Sequence, residues 1–124
     1  MEKYSVTVAG REIPLRYTMR ELMLMEEAIG TMDKFNDLIL KGKNRIRNLT
    51  TAICIMGNGA LAHEGKEADL TFDWLIDNID PARLKTCQIA VLGAFTDGFN
   101  TEHQQQGRRD LGLEELQREK KTGA

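Results

Sequence analysis

The sequence predicts a mainly α, α+β fold: an N-terminal β-hairpin followed by a bundle of about four to five helices. Three observations predict it. Residues 4–8 and 12–17 carry strand formers in alternation, the period of half-buried strands. Three later segments open with a capping residue framed by two apolar side chains, as helix starts do: Tyr17 with Leu22, Leu70 with Leu75, Ile79 with Leu84. The apolar residues that follow them recur at steps of three and four, the helical period.

The hairpin comes first. Tyr4–Val8 leads through Ala9-Gly10-Arg11 to a second strand with Ile13, Leu15 and Tyr17 on one side. Gly10 suits a turn that needs positive φ. Pro14 cannot donate to a ladder, so its strand belongs at an edge or its nitrogen faces outward. Thr18-Met19-Arg20-Glu21 then reads as a capping box. The helix it opens should run to about Ile29, with Gly30 as its stop.

A short amphipathic piece from about Met32 to Leu40 carries Phe35, Leu38 and Ile39. A longer helix from about Lys43 to Ala62 carries Ile46, Leu49, Ile53, Met56 and Ala60. Gly57-Asn58-Gly59 is expected to end or kink it, since each Gly costs about 1 kcal/mol against Ala. His63 to Asp69 reads as loop. Thr71 caps a short helix, and Asp80-Pro81 starts the last one by the N-cap and N1 rules. That helix, to about Phe99, carries Leu84, Cys87, Val91, Phe95 and Phe99 at helical spacing. Residues 1–100 thus form one helical domain with an N-terminal hairpin, and 101–124 form a polar C-terminal tail.

Composition narrows the function classes. A net charge of −2 excludes the strong basic excess of a dedicated nucleic-acid binder. With 6% aromatic residues, the core must be aliphatic and methionine-based. No stretch approaches the roughly 20 apolar residues that span a bilayer, and no secretory signal opens the chain. The expected compartment is the cytoplasm. Cys54 and Cys87 lie in apolar helical patterns and read as small buried hydrophobes. A bridge between them requires that their helices abut.

Catalytic and metal patterns are not found. His63 and His103 lack a second His or Cys at ligand spacing. Gly57-Asn58-Gly59-Ala60 follows a helix rather than a strand and has no Gly-Lys-Ser/Thr ending, so it is no phosphate loop. Glu26 and Glu27 diverge by about 100° on a helix and cannot face one substrate together. The expectation is no enzyme, no cofactor and no metal. Lys41, Lys43, Arg45 and Arg47 form a local basic cluster that could touch phosphates. No aromatic residue interleaves it, and a wet helix face is the simpler account.

One helix has more apolar surface than a one-sided element needs. In residues 19–29, Leu22, Met25 and Ile29 share one stripe at about 100° per residue. Met19 and Met23 lie about 60–100° round from Leu22, and Leu24 points nearly opposite to it. Some of these side chains fill the core. The rest need a second cover: the hairpin, another helix or another chain. Met19, Leu22, Met23, Leu24, Met25 and Ile29 are therefore the candidate partner-binding residues. Flexible thioethers suit a surface that must accept varied partners.

The string Ile13-Pro-Leu-Arg-Tyr-Thr-Met-Arg-Glu-Leu-Met-Leu-Met-Glu-Glu-Ala-Ile-Gly30 resembles the opening of small tail assembly chaperones of siphophages and related prophages. The run Asn44 to Ile53, the segment Leu70-Thr-x-x-Trp74-Leu and the helix Pro81 to Ala94 are similar too, so the likeness covers roughly residues 4–100. It implies a protein that binds the apolar, helical tape-measure protein, keeps it soluble and helps recruit tail-tube subunits. It implies no catalytic residue. Many such proteins are also made as a longer frameshifted product, and the polar 101–124 stretch would suit that junction. Self-association is left open. Two alternatives remain: a head–tail joining or tail-terminator protein, and a small DNA-binding regulator using Lys43 to Arg47.

Overall fold

The computed structural model describes residues 2–109, with side chains for 2–98. Strands β1 (Tyr4–Val8) and β2 (Arg11–Leu15) pair antiparallel, Val6 opposite Ile13 and Val8 opposite Arg11. Their connection is a two-residue turn, tighter than the expected three-residue loop, and Arg11 already belongs to the ladder. Ala9 and Gly10 have φ of 53° and 78°. Positive φ at both central residues gives the twist that joins two strands directly. Hydrogen-bonded and free pairs alternate away from that turn, so Ser5–Pro14 is a free pair and the missing N–H of Pro14 costs nothing. Val6, Val8, Ile13 and Leu15 are buried, and one hairpin face joins the core.

Among the described residues five helices follow: α1 (Met19–Ala28), α2 (Phe35–Leu40), α3 (Arg45–His63), α4 (Phe72–Asn78) and α5 (Leu84–Arg109). Short 3₁₀ turns at Met32–Lys34 and Pro81–Arg83 lead into α2 and α5. The expected caps at the last two starts are present. Thr71 Oγ1 accepts from the Trp74 N–H at 3.1 Å, and Asp80 Oδ1 accepts from the Ala82 N–H at 3.0 Å. The last helix continues through Arg109, past the boundary expected at residue 100. The rest of the predicted tail, 110–124, lies outside the described residues.

Helix α3 is the centre of the molecule and packs against β2, α1, α2, α4 and α5. Leu49, Ile53 and Met56 are fully enclosed, with Phe35, Ile39 and Leu75 around them. Each such side chain contributes about 1.5–3 kcal/mol on burial. The break expected at Gly57-Asn58-Gly59 does not occur, and α3 runs unbroken to His63. The glycines serve close approach instead. A Cβ on Gly57 would stand 2.6 Å from Leu70 Cδ1 and 2.7 Å from Ile13 Cγ2. A Cβ on Gly59 would collide with the Glu21 carboxylate. Neighbouring elements occupy the space that side chains would take, which offsets the helical cost of each glycine.

Asn58 stands between those glycines and works as a backbone mimic. Its Oδ1 accepts from the Leu70 N–H at 3.0 Å, and its Nδ2 donates to the Leu70 carbonyl at 2.9 Å. The segment entering α4 is thereby clamped to α3. The short helix α2 is fixed in a related way. Asn48 of α3 donates to the Leu38 carbonyl at 2.9 Å, and Gln88 of α5 donates to the Ile39 carbonyl at 3.0 Å. Two orphan carbonyls at one helix end are satisfied by two different helices.

Two measurements check this account. Asn58→Ala leaves the Leu70 N–H unpaired and its carbonyl with only the weak Cys54 thiol donor at 3.5 Å, so chemical denaturation should show a loss of about 1–3 kcal/mol. Ala9 sits at a φ that L-residues with a Cβ occupy at a cost. Ala9→Asn supplies the favoured Asn-Gly turn and should stabilise by about 0.5–1 kcal/mol, seen as a higher melting temperature.

Candidate partner-binding face

Helix α1 is set by its first turn. Glu21 Oε1 accepts from the Thr18 N–H at 2.7 Å and from the Thr18 hydroxyl. The expected capping pair is therefore formed from the Glu21 side. Glu21 is buried against Gly59 of α3, so the cap is also the contact that seats α1. The chain just before it is pinned as well, because the Arg16 N–H donates to the Met56 carbonyl at 3.1 Å. One turn later Met25 is fully enclosed, while Leu22 and Ile29 are half-buried against the core.

That seating fixes what remains outside. Met19 is 69% exposed, Met23 50% and Leu24 38%. Met19 and Met23 are one turn apart on the same side of the helix, with half-buried Leu22 beside them. They form a continuous apolar ridge. Leu24 lies about 100° from Met23, on the other flank. Of the six candidate residues, Met25 belongs to the core. Met19, Met23 and Leu24 reach solvent, and Leu22 and Ile29 lie at the margin.

Tyr17 borders the ridge and packs on Phe95 of α5 at 5.2 Å between ring centroids. Phe95 in turn meets Phe35 at 4.7 Å. Beyond them lies an open cleft of about 230 Å³, lined by residues 32–37 and Phe95. Small-molecule sites usually enclose about 300–1,000 Å³, so this depression is no evident ligand pocket. Glu26 turns away from Glu27 and accepts from the Met32 N–H at 3.3 Å. Glu27 is exposed.

The other sequence candidates are dispersed. His63 is the exposed last residue of α3, and His103 lies beyond the described side chains. Among the described residues, no group of three His, Cys, Asp or Glu side chains is placed to hold a metal. No described helix is long and apolar enough to cross a membrane. Cys54 and Cys87 are free thiols, and burial pushes both up from the usual thiol range. Such thiols stay protonated and unreactive. The basic cluster Lys41, Lys43, Arg45 and Arg47 is exposed, as the sequence suggested.

Sequence reasoning passed over Ile89, which is 64% exposed on α5. Its signal was available: at 100° per residue it falls roughly 160° from Val91, opposite the buried stripe. Leu40, the last residue of α2, is also 45% exposed.

No protein-family model, curated protein or solved structure matches this chain.

Tyr17 offers a pH readout beside the ridge. Burial pushes its phenol up to about 12, with help from the Glu26 and Glu21 carboxylates. The fold favours the neutral phenol. Its contribution to stability is therefore full below about pH 10, the unfolded value, and is lost as pH rises through about 12. Phenolate absorbance should show a tyrosine titrating with alkaline unfolding, and Tyr17→Phe should remove that part of the loss.

Proposed function

We propose that this chain is a helical binding protein that covers apolar helical segments of a partner, in the manner of a phage tail assembly chaperone. On this reading it works by binding and has no catalytic step. It holds a tape-measure protein soluble in the cytoplasm of a bacterial host and helps bring tail-tube subunits to it. The ridge of Met19 and Met23 on α1 carries the proposal. These side chains are apolar, adjacent and exposed on a helix whose opposite face is anchored in the core. An apolar partner helix could bury them against its own side chains, and thioethers adapt to changing neighbours along a repetitive partner. The likeness of residues 4–100 to tail assembly chaperones supplies the identity of the partner.

Co-expression with the tape-measure protein of the same prophage tests the reading. The wild-type chain should raise the soluble yield of that protein. Met19→Glu with Met23→Glu should return the yield to that seen without the chain. Both residues are exposed, so the variant's own stability should stay within about 0.5 kcal/mol of wild type. An unchanged soluble yield with the wild-type chain counts against the proposal.

A further inference from the structure

A second surface lies at the opposite end of α3. The Leu38 and Ile39 carbonyls of α2 are held by Asn48 of α3 and Gln88 of α5, so these three helix ends meet. About two turns further on, Arg16 and Tyr17 touch Met56 of α3 and Phe95 of α5. Helices α3 and α5 therefore run in the same direction, and both N-termini point to one pole. Neither has an acidic residue in its first turn. Lys41, Lys43, Arg45, Arg47, Arg83 and Lys85 cluster there instead, all exposed.

Cations at a helix N-terminus oppose the helix dipole, so this arrangement does not serve folding. Lys41 reaches Asp37 at 3.6 Å. Among the described residues the other five form no ion pair. Leu40, Ile46 and Ile89 are exposed around the same helix ends, at 45%, 37% and 64%. The pole joins an excess of positive charge, offset in part by Asp37 and by the Asp80 cap, to exposed aliphatic side chains. Phosphate backbones would use only the charge, and among the described residues no aromatic side chain is exposed there for base stacking. An acidic segment with aliphatic side chains matches both parts.

The chain contains such a segment. Residues 110–117 read Asp-Leu-Gly-Leu-Glu-Glu-Leu-Gln, three carboxylates and three leucines in eight positions, a locally acidic stretch set between Arg108-Arg109 and Arg118. It cannot reach the pole of its own chain. Ile89 and Arg109 lie on one continuous helix, about 30 Å apart at 1.5 Å per residue. Leu116 is at most about 25 Å of extended chain from Arg109, and Leu111 and Leu113 are nearer still. We infer that the acidic segment 110–117 of one copy docks on the basic, aliphatic pole of a second copy. The contact is heterologous, so each copy offers one donor segment and one acceptor pole.

Charge reversal in the full chain tests this, read by sedimentation velocity at low and high salt. Wild type should self-associate with rising concentration, and more weakly at high salt. Lys43→Glu with Arg47→Glu should weaken association by at least about tenfold, and so should Glu114→Lys with Glu115→Lys. The first variant places carboxylates at a helix N-terminus and should fold at least as well as wild type, which circular dichroism checks. Mixing the two variants should restore association, because the acidic segment of one then meets the basic pole of the other. The inference is overturned by a wild type that stays monomeric at every concentration. It is equally overturned by reversed variants that associate like wild type, or by a mixture that does not recover. Salt-dependent binding of a duplex DNA probe by a monomeric wild type would make the pole a polyanion site instead. None of these results depends on Met19 or Met23, so failure here and failure of the chaperone reading are separable.

Discussion

One turn of α3 determines how the other elements can be placed. At Gly57 the hairpin and the Leu70 segment come within side-chain distance of the helix backbone, and at Gly59 the Glu21 carboxylate does the same. Asn58, between them, holds both backbone groups of Leu70. Three separate parts of the chain are thus docked on consecutive residues. The helix gives up propensity at two positions, about 1 kcal/mol each, and gains contacts that no residue with a Cβ would permit. Alanine at either position would push against groups that are themselves held. Leu70 is fixed by Asn58, and Glu21 by the Thr18 N–H.

The exposed ridge follows from that docking. Glu21 is the third residue of α1, and its contact with Gly59 sets the rotation of the helix about its own axis. With Glu21 turned inward, the 100° step brings Met25 into the core and carries Met19 and Met23 outward. Leu22 lies between these directions and is half-buried. A rotation that covered the methionines would expose Met25 and break the cap. The apolar ridge is therefore not slack in the fold. Concealing it takes something beyond the described part of this chain.

The parts that were legible in the sequence are the parts with local causes. The capping pair at Thr18 and Glu21, the Thr71 cap and the Asp80-Pro81 start are decided by hydrogen bonds within four residues. Each fell where the pattern placed it. The turn at Ala9-Gly10 came out shorter than expected because Ala9 accepts a positive φ that its side chain disfavours. Gly57-Asn58-Gly59 was misread for a different reason. Propensity registers only what glycine costs a helix, while its benefit comes from Ile13, Leu70 and Glu21, which are distant in sequence. The overfilled apolar pattern of α1 was plain in the sequence. Which of its six side chains stay outside was not, because the rotation is set by a tertiary contact.

The two exposed surfaces differ in chemistry and lie apart. Gly59, beneath the first turn of α1, and Arg45, at the basic pole, are fourteen residues apart on α3, or about 21 Å along its axis. That exceeds the roughly 8 Å over which exposed charges act at physiological salt. The ridge is apolar and should respond little to ionic strength, whereas the pole depends on charge and should respond strongly. A chain with one such surface could cover a partner or join a neighbour. A chain with both can do the two at once, since a copy held at its pole still presents Met19 and Met23. Covering a long apolar helix one copy at a time would leave gaps at every junction. Linked copies would close them, so on the proposed reading the two surfaces serve one task.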